Sequence, residues 1–210
     1  MKVLVIGAAG KTGRLVVDRA LAAGHSVKAL VHDTATLADA PLSDGVHIVQ
    51  GDVHDAATVR QALAGCEAVI DTLGGKKPFL KTDLESSAAR VVLAAMEEQG
   101  VRRLIVISVL GAGDSGAQAS FWYEHLLLPT FLHGALPDKN AMEEAVKASN
   151  VDWVLVRPPV LSDDPATGDI KHVIEHDVAH RLTRGDLAQF LVDQVQNDAY
   201  IRQAIVIANS

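Results

Sequence analysis

Residues 2–14, KVLVIGAAGKTGR, decide the fold of this chain. A short apolar run is followed at once by a glycine-rich turn and then by a pattern of helical periodicity. The three glycines of the turn have the spacing GxxGxxG, and they are Gly7, Gly10 and Gly13. A buried strand that enters a helix through such a turn opens a βαβ unit, in which backbone amides can approach a phosphate at the helix N-terminus. The segment therefore predicts an α/β fold whose first turn binds a phosphate-containing ligand.

The same alternation of strand and helix continues to the end of the chain. The predicted strands are Val3–Ile6, Ser26–Val31, His47–Val49, Ala68–Thr72, Arg103–Ile107, Trp153–Val156 and Ala204–Ile207. The predicted helices are Thr12–Ala23, Ala56–Leu63, Leu84–Gln99, Lys139–Ser149 and Gly185–Gln196, with left-handed C-caps expected at Gly24, Gly65, Gly100 and Asn150. Strict alternation predicts right-handed crossovers and a Rossmann-like, doubly wound parallel sheet in three layers, as a single domain over residues 1–210.

Two irregular stretches interrupt this alternation, residues 111–138 and 162–183. Insertions at the carboxyl ends of strands in open α/β sheets commonly build the ligand site. Four of the eight aromatic residues fall in the first stretch: Phe121, Trp122, Tyr123 and Phe131. We expect Trp122 and Tyr123 to form a wall for a planar apolar substrate. An oligomer contact, or simple packing of the insertion, is the competing interpretation.

Composition excludes several classes of protein. The chain has 26 acidic residues against 19 Lys and Arg, and its net charge of −7 provides no basic field for general nucleic-acid binding. One cysteine, Cys66, cannot form an internal disulfide, and no export signal or long apolar span is apparent. These features predict a cytoplasmic protein without a membrane segment, and we expect a monomer or a homodimer.

The glycine turn is more consistent with a dinucleotide than with a nucleoside triphosphate. The phosphate-binding loop of triphosphatases would need glycine where this chain has Val5, which excludes ATP hydrolysis. Asp33 lies 20 residues beyond Gly13, a spacing suited to the ribose hydroxyl of NAD, whereas Lys11, Arg14 and protonated His32 could surround the 2′-phosphate of NADP. The cationic residues favour NADP(H) over NAD(H).

The histidines at positions 172, 176 and 180 recur every four residues, as metal ligands on one helix face would. The segment that carries them is predicted to be loop and extended chain, where this spacing does not converge. We therefore expect no metal site.

At this point the chain resembles the atypical short-chain dehydrogenase/reductases with an NAD(P)-binding fold, which include NmrA-like proteins and biliverdin reductase B-like flavin reductases. The resemblance covers nearly the whole chain. Its motifs are Gly7-Ala8-Ala9-Gly10-Lys11-Thr12-Gly13, Leu30-Val31-His32-Asp33, Gly51-Asp52-Val53, Thr72-Leu73-Gly74-Gly75 and Val156-Arg157-Pro158-Pro159.

Candidate cofactor-binding residues lie in five places along the chain, the first two indicated by the residues themselves and the other three implied by the resemblance. These are Gly7, Ala9, Gly10, Lys11, Thr12, Gly13 and Arg14 around the glycine turn, His32 and Asp33 at the adenosine 2′ position, Asp52 and Val53 along the adenine, Leu73, Gly74 and Gly75 along the ribose and pyrophosphate, and Pro158, Pro159 and Val160 beside the nicotinamide. The chain departs from the family where His32 replaces a frequent arginine, and where Val109 follows Ser108 in place of a second serine.

Ser108 and Lys139 are the catalytic candidates. Lys139 fits the lysine of the Tyr-x-x-x-Lys pair of the larger superfamily, but Ala135 stands where the tyrosine acid would be. Without that acid, an electron-poor ring such as a flavin or quinone is a more suitable hydride acceptor than a ketone. The leading hypothesis is an NAD(P)H-dependent reductase of such an acceptor. The alternative is a non-catalytic NAD(P)-sensing regulator that resembles the NmrA-like proteins.

Overall fold

A computed structural model describes residues 1–75, 79–174 and 177–210, without the side chains of residues 124, 127–129 and 131. Within these ranges the centre is an eight-stranded sheet. Its strands are Lys2–Ile6 (β1), Ser26–Val31 (β2), His47–Gln50 (β3), Ala68–Asp71 (β4), Arg103–Ile107 (β5), Asp152–Arg157 (β6), Ile170–Val173 (β8) and Gln203–Asn209 (β10). Across the sheet their order is β3-β2-β1-β4-β5-β6-β10-β8. Neighbouring strands are parallel except β8, which pairs antiparallel with β10.

Helices cover both faces of this sheet. They are Lys11–Ala22 (α1), Ala56–Leu63 (α2), Leu84–Gln99 (α3), Leu136–Ala148 (α4) and Arg184–Asp193 (α5). Side chains of a strand alternate between the faces, so Val3 and Val5 pack with α1 and α5, whereas Leu4 and Ile6 pack with α2, α3 and α4. The result is the predicted three-layered, Rossmann-like fold.

The left-handed cap predicted at Asn150, after α4, is wrong. The residue after α4 is Ser149, whose backbone is extended with φ −78° and ψ 163°, and Asn150 does not adopt the left-handed conformation expected of it. The chain passes from Ser149 directly toward β6, and the Ser149 hydroxyl donates to the carbonyl oxygen of Val146 at 2.6 Å. A serine hydroxyl thus satisfies a terminal carbonyl that a left-handed cap would otherwise serve. At Gly24, Gly65 and Gly100 the expected positive φ is present.

The two irregular stretches contain more regular structure than their sequence indicated. The first holds a 3₁₀ turn, Ser115–Gln118, and a π-helical segment, Tyr123–Leu132. The second holds β8, and Arg181–Thr183 (β9) pairs parallel with Val160–Ser162 (β7). These strands have only three or four residues each and contain polar residues, so their sequences lack the apolar run of a buried strand. Among the described residues, every helix is too short or too polar to span a bilayer.

Candidate functional site

The glycine turn brings α1 into direct contact with the end of β1. A Cβ at position 13 would lie 2.2 Å from the carbonyl oxygen of Gly7, and one at Gly7, whose φ is +75°, would lie 2.8 Å from Thr72 Oγ1. Only glycine fits at either position. Gly10 precedes the first turn of α1 without a side-chain cap, which leaves that turn's amides to be satisfied by water or a ligand. This glycine cradle fits the diphosphate of a dinucleotide.

A cleft of about 650 Å³ extends from this turn across the carboxyl ends of β2, β3 and β4. We call it the glycine-turn cleft. Nine predicted cofactor-binding residues line it: Gly7, Ala9, Gly10, His32, Asp33, Asp52, Val53, Leu73 and Gly74. Sequence reasoning missed Thr36, His54 and Leu84, which also line it. The carboxyl ends of successive parallel strands meet at one edge, and the predicted loops converge there.

The part of the cleft that follows β2 presents Asp33, whose carboxylate accepts a hydrogen bond from the Ala35 amide at 2.9 Å and caps a 3₁₀ turn, Thr34–Leu37. Arg14 supports the same region from α1. Its guanidinium donates to the carbonyl oxygens of Ala9 at 3.1 Å, Thr36 at 3.2 Å and Pro41 at 3.3 Å. Arg14 therefore shapes the loop that borders the cleft.

Lys11 lies on another side of the glycine turn. Its ammonium pairs with Asp163 at 2.7 Å, just after β7, and Asp163 also accepts from Arg184 at 2.6 Å. Lys11 does not line the cleft beside His32, so the structure does not bring together the three cations that the sequence suggested for a 2′-phosphate.

A histidine joins the loop after β3 to α3. One Asp52 carboxylate oxygen accepts from the backbone amide of His54 at 2.9 Å and lies 2.8 Å from its Nδ1, while His54 Nε2 lies 2.9 Å from Ser87 Oγ. These bonds lower the pKa of Asp52. The order Asp-His-Ser resembles a nucleophile triad, but the Ser87 hydroxyl donates to the carbonyl oxygen of Asp83. His54 therefore connects the loop after β3 to α3.

Ser108, a predicted catalytic residue, belongs to a buried polar network. Its hydroxyl donates to Glu143 at 2.7 Å, and Glu143 also accepts two hydrogen bonds from Arg157, at 2.9 and 2.6 Å. Burial acts to raise the pKa of Glu143, but the hydrogen bonds from Arg157 and Ser108 hold it below its usual value. Arg157 also forms an ion pair with Asp114, with 2.7 Å between Nη1 and Oδ1. The network ties the insertion after β5 to α4 and β6.

Lys139, the other predicted catalytic residue, is buried behind the cleft. Its ammonium donates to the carbonyl oxygen of Ile107 at 2.9 Å and forms an ion pair with Glu85 in the first turn of α3. Glu85 was not predicted, because an acidic residue near a helix start ordinarily indicates only a favourable interaction with the helix dipole.

The predicted nicotinamide-side residues follow β6. Pro158 and Pro159 are buried, the carbonyl oxygen of Pro158 accepts from the Leu110 amide at 3.0 Å, and Val160 is exposed at the start of β7. Thr12 is half-buried in the first turn of α1.

The two predicted substrate residues differ in environment. Trp122 is 71% exposed and lies edge to face with Phe121, their ring centroids 6.2 Å apart. Tyr123 is buried against an apolar cluster that includes Leu110 and Val173, and its burial raises the pKa of its phenol. The Phe131 side chain lies outside the described part of the chain.

No three His, Cys, Asp or Glu side chains in the described ranges are grouped as metal ligands. Of the three regularly spaced histidines, His172 lies edge to face with Tyr200, and His180 is exposed. His176 lies outside the described residues.

Comparisons with known proteins agree with this geometry. Residues 7–198 match the model of a family described as NAD(P)H-binding. The chain is 26% identical to the UPF0659 protein YMR090W of Saccharomyces cerevisiae, over 100% of this chain and 93% of that protein. It is also 26% identical to the uncharacterized sugar epimerase YhfK of Bacillus subtilis, over 91% and 86%. Among solved structures, ChuY, an anaerobillin reductase from Escherichia coli O157:H7, superimposes with a TM-score of 0.82 at 25% identity, over 100% of this chain and 97% of that one. The chain therefore belongs to the NAD(P)H-binding family, with the fold of the atypical short-chain dehydrogenase/reductases.

Proposed function

We propose that this protein is an NAD(P)H-dependent reductase that passes hydride to a planar conjugated acceptor, such as a flavin, a quinone or a compound like the anaerobillin of its structural neighbour. The observation that carries this proposal is a set of exposed apolar side chains on the two loops that follow β4 and β5, which we call the rim. ChuY supports the proposed reaction class, because that structural neighbour is described as an anaerobillin reductase.

The rim is built by two loops that follow adjacent strands. The insertion after β5 supplies Phe121, 68% exposed, and Trp122, and the segment after β4 supplies Phe79 and Leu80, which are about half exposed. The loops touch at Gly134, where an added Cβ would lie 2.5 Å from the carbonyl carbon of Leu80. Both loops follow strands whose carboxyl ends lie at the same edge of the sheet as the cleft, and exposed rings there can stack on a planar acceptor and exclude water from it.

The glycine-turn cleft would hold the cofactor, with Asp52 and Val53 along the adenine and Leu73 and Gly74 along the ribose and diphosphate. When bound, NAD(P)H supplies a hydride from its nicotinamide ring. We favour NADP(H) over NAD(H), because His32 lines the cleft and Arg14 contacts the loop that borders it. The whole chain acts as one domain in this proposal.

The protein's own contribution is positioning and exclusion of water, since none of its described groups is placed as the usual phenol acid. Ala135 stands four residues before Lys139, and Tyr123 is buried among apolar side chains with a raised pKa. An electron-poor ring that accepts hydride can take its proton from water, so the acceptor we propose requires no tyrosine acid.

A second function, an NAD(P)-sensing regulator without turnover, is favoured by the partners of the two catalytic candidates. Ser108 donates to Glu143, and Lys139 is held by Glu85 and the Ile107 carbonyl oxygen. Both side chains are thus occupied inside the protein.

Steady-state oxidation of NADPH and of NADH, with flavin mononucleotide and menadione as acceptors, separates these functions. The reductase predicts turnover that falls in Trp122→Ala while the mass in solution is unchanged. Ile48→Ala, which removes an exposed side chain of the edge strand β3 that does not line the cleft, is the matched control. Tight cofactor binding without oxidation would favour the regulator. A lower mass for Trp122→Ala with intact turnover would assign the rim to an oligomer contact.

A further inference from the structure

Three buried charged side chains lie directly behind the wall of the glycine-turn cleft. They are Asp71 at the end of β4, Glu85 in the first turn of α3 and Lys139 in α4, with exposed fractions of 6%, 5% and 7%. We call them the charge cluster. Thr72, which follows Asp71, and Leu84, which precedes Glu85, both line the cleft. Two members of the cluster are therefore adjacent in the chain to residues of the cleft wall.

Residues 72–75, which we call the β4 loop, lie next to both carboxylates of the cluster. Asp71 accepts from the Leu73 amide at 2.8 Å. Burial raises the pKa of Glu85, and the nearby Gly75 amide acts against this rise. The β4 loop is therefore supported from behind, while Leu73 and Gly74 face the cleft.

Lys139 is the cation that the two carboxylates share. It pairs directly with Glu85, and its charge also acts to lower the pKa of Asp71. Burial dominates for both acids, because it raises the pKa of Asp71 to about 6 and also raises that of Glu85. Nearby Asp138 serves another purpose: its carboxylate caps α3 by accepting from the Glu85 and Ser86 amides, each at 2.9 Å.

We propose that the charge cluster positions the β4 loop for the ribose and diphosphate of the cofactor, with Glu85 as the principal positioning residue. This inference rests on the dinucleotide cleft of the proposed function. It gives Lys139 a role in supporting the cofactor wall. The tyrosine that such a lysine assists in the larger superfamily is absent here, because Ala135 stands at that position.

Glu85 lies where three elements of the fold meet. From its position in α3, its carboxylate pairs with Lys139 of α4 and lies near the Gly75 amide after β4. A charge-assisted hydrogen bond to a buried carboxylate is stronger than the same bond to a neutral amide. Glu85→Gln retains the shape and an acceptor oxygen, but it removes the charge that attracts Lys139.

The test compares Glu85→Gln with wild type by NMR hydrogen exchange at Leu73 and Gly75, without cofactor, and by calorimetric titration of NADPH and NADH. We expect Gly75 to exchange about tenfold faster and the dissociation constant to rise about tenfold, the effect of replacing a charge-assisted bond with a neutral one. Asp186→Asn is the matched control, because Asp186 is a buried carboxylate that accepts the amides of Thr167 and Gly168 away from the cleft.

Unchanged exchange at Gly75, or weakened binding in Asp186→Asn equal to that in Glu85→Gln, would overturn the proposal. If Glu85→Gln does not fold, the double variant Glu85→Gln, Lys139→Gln removes the ion pair as a unit and must show the same faster exchange. A wild-type protein that turns over no acceptor, or binds no dinucleotide, would refute the proposed function. Hydrogen exchange is measured without cofactor or acceptor, so it would still decide whether the charge cluster positions the β4 loop.

Discussion

Asp71→Asn should change how the stability of this protein depends on pH. Burial raises the pKa of Asp71 from 3.8 to about 6, so the folded carboxyl holds its proton in a range where the unfolded one has lost it. The folded state then binds more protons, and the free energy of unfolding decreases as pH rises through this window. A difference of about two pKa units corresponds to about 3 kcal/mol that the wild type loses above the window. Asparagine does not titrate and retains an oxygen for the Leu73 amide.

Urea unfolding of both proteins between pH 4.5 and pH 7.5, followed by circular dichroism, measures this difference. The stability of Asp71→Asn relative to wild type should rise by about 2 kcal/mol across that interval, which covers most of the titration. The difference at a single pH includes the change of side chain, but its pH dependence reports only the titration of Asp71. A relative stability that stays constant with pH would refute the argument, because Asp71 would then titrate alike in the folded and unfolded chains.

Three further substitutions have definite expected outcomes. Gly13→Ala places a Cβ 2.2 Å from the Gly7 carbonyl oxygen, so calorimetry should show dinucleotide binding weakened more than about tenfold; unchanged affinity would contradict the cradle. Asp186→Asn should lower the free energy of unfolding by on the order of 2 kcal/mol at pH 7. Hydrogen bonds lower the pKa of Asp186 despite its burial, so its stabilisation is present above pH about 4 and is lost on further acidification. An equal loss at pH 7 and at pH 2 would contradict this. Glu143→Gln leaves the buried Arg157 short of its main counter-charge, and urea unfolding should show a loss of about 3–5 kcal/mol; a loss below about 1 kcal/mol would mean that the pair is not truly desolvated.

The sequence by itself determined the seven parallel strands of the sheet and the place of the cleft. Hydrophobic periodicity and glycine spacing are local signals, and a strand that is buried on both faces must consist almost entirely of apolar residues. The loops after β2, β3 and β4 could be assigned to one site because parallel strands end at the same edge. The short strands β7, β8 and β9 escaped prediction, since segments of three or four residues that include polar side chains carry no such pattern and pair only where the rest of the fold places a partner.

The tertiary structure alone decided what the polar side chains do. Lys139 and Glu85 are 54 residues apart, and their ion pair depends on how α4 packs against α3, which no local pattern records. In the same way, Ser108 was predicted at the end of a strand, but its partner Glu143 was supplied by a helix. Lys11 follows the glycine turn as predicted, and the position of Asp163 after β7 sets the direction of its side chain. Backbone form follows from neighbouring residues, whereas the partners of a charge follow from distant ones brought together by packing.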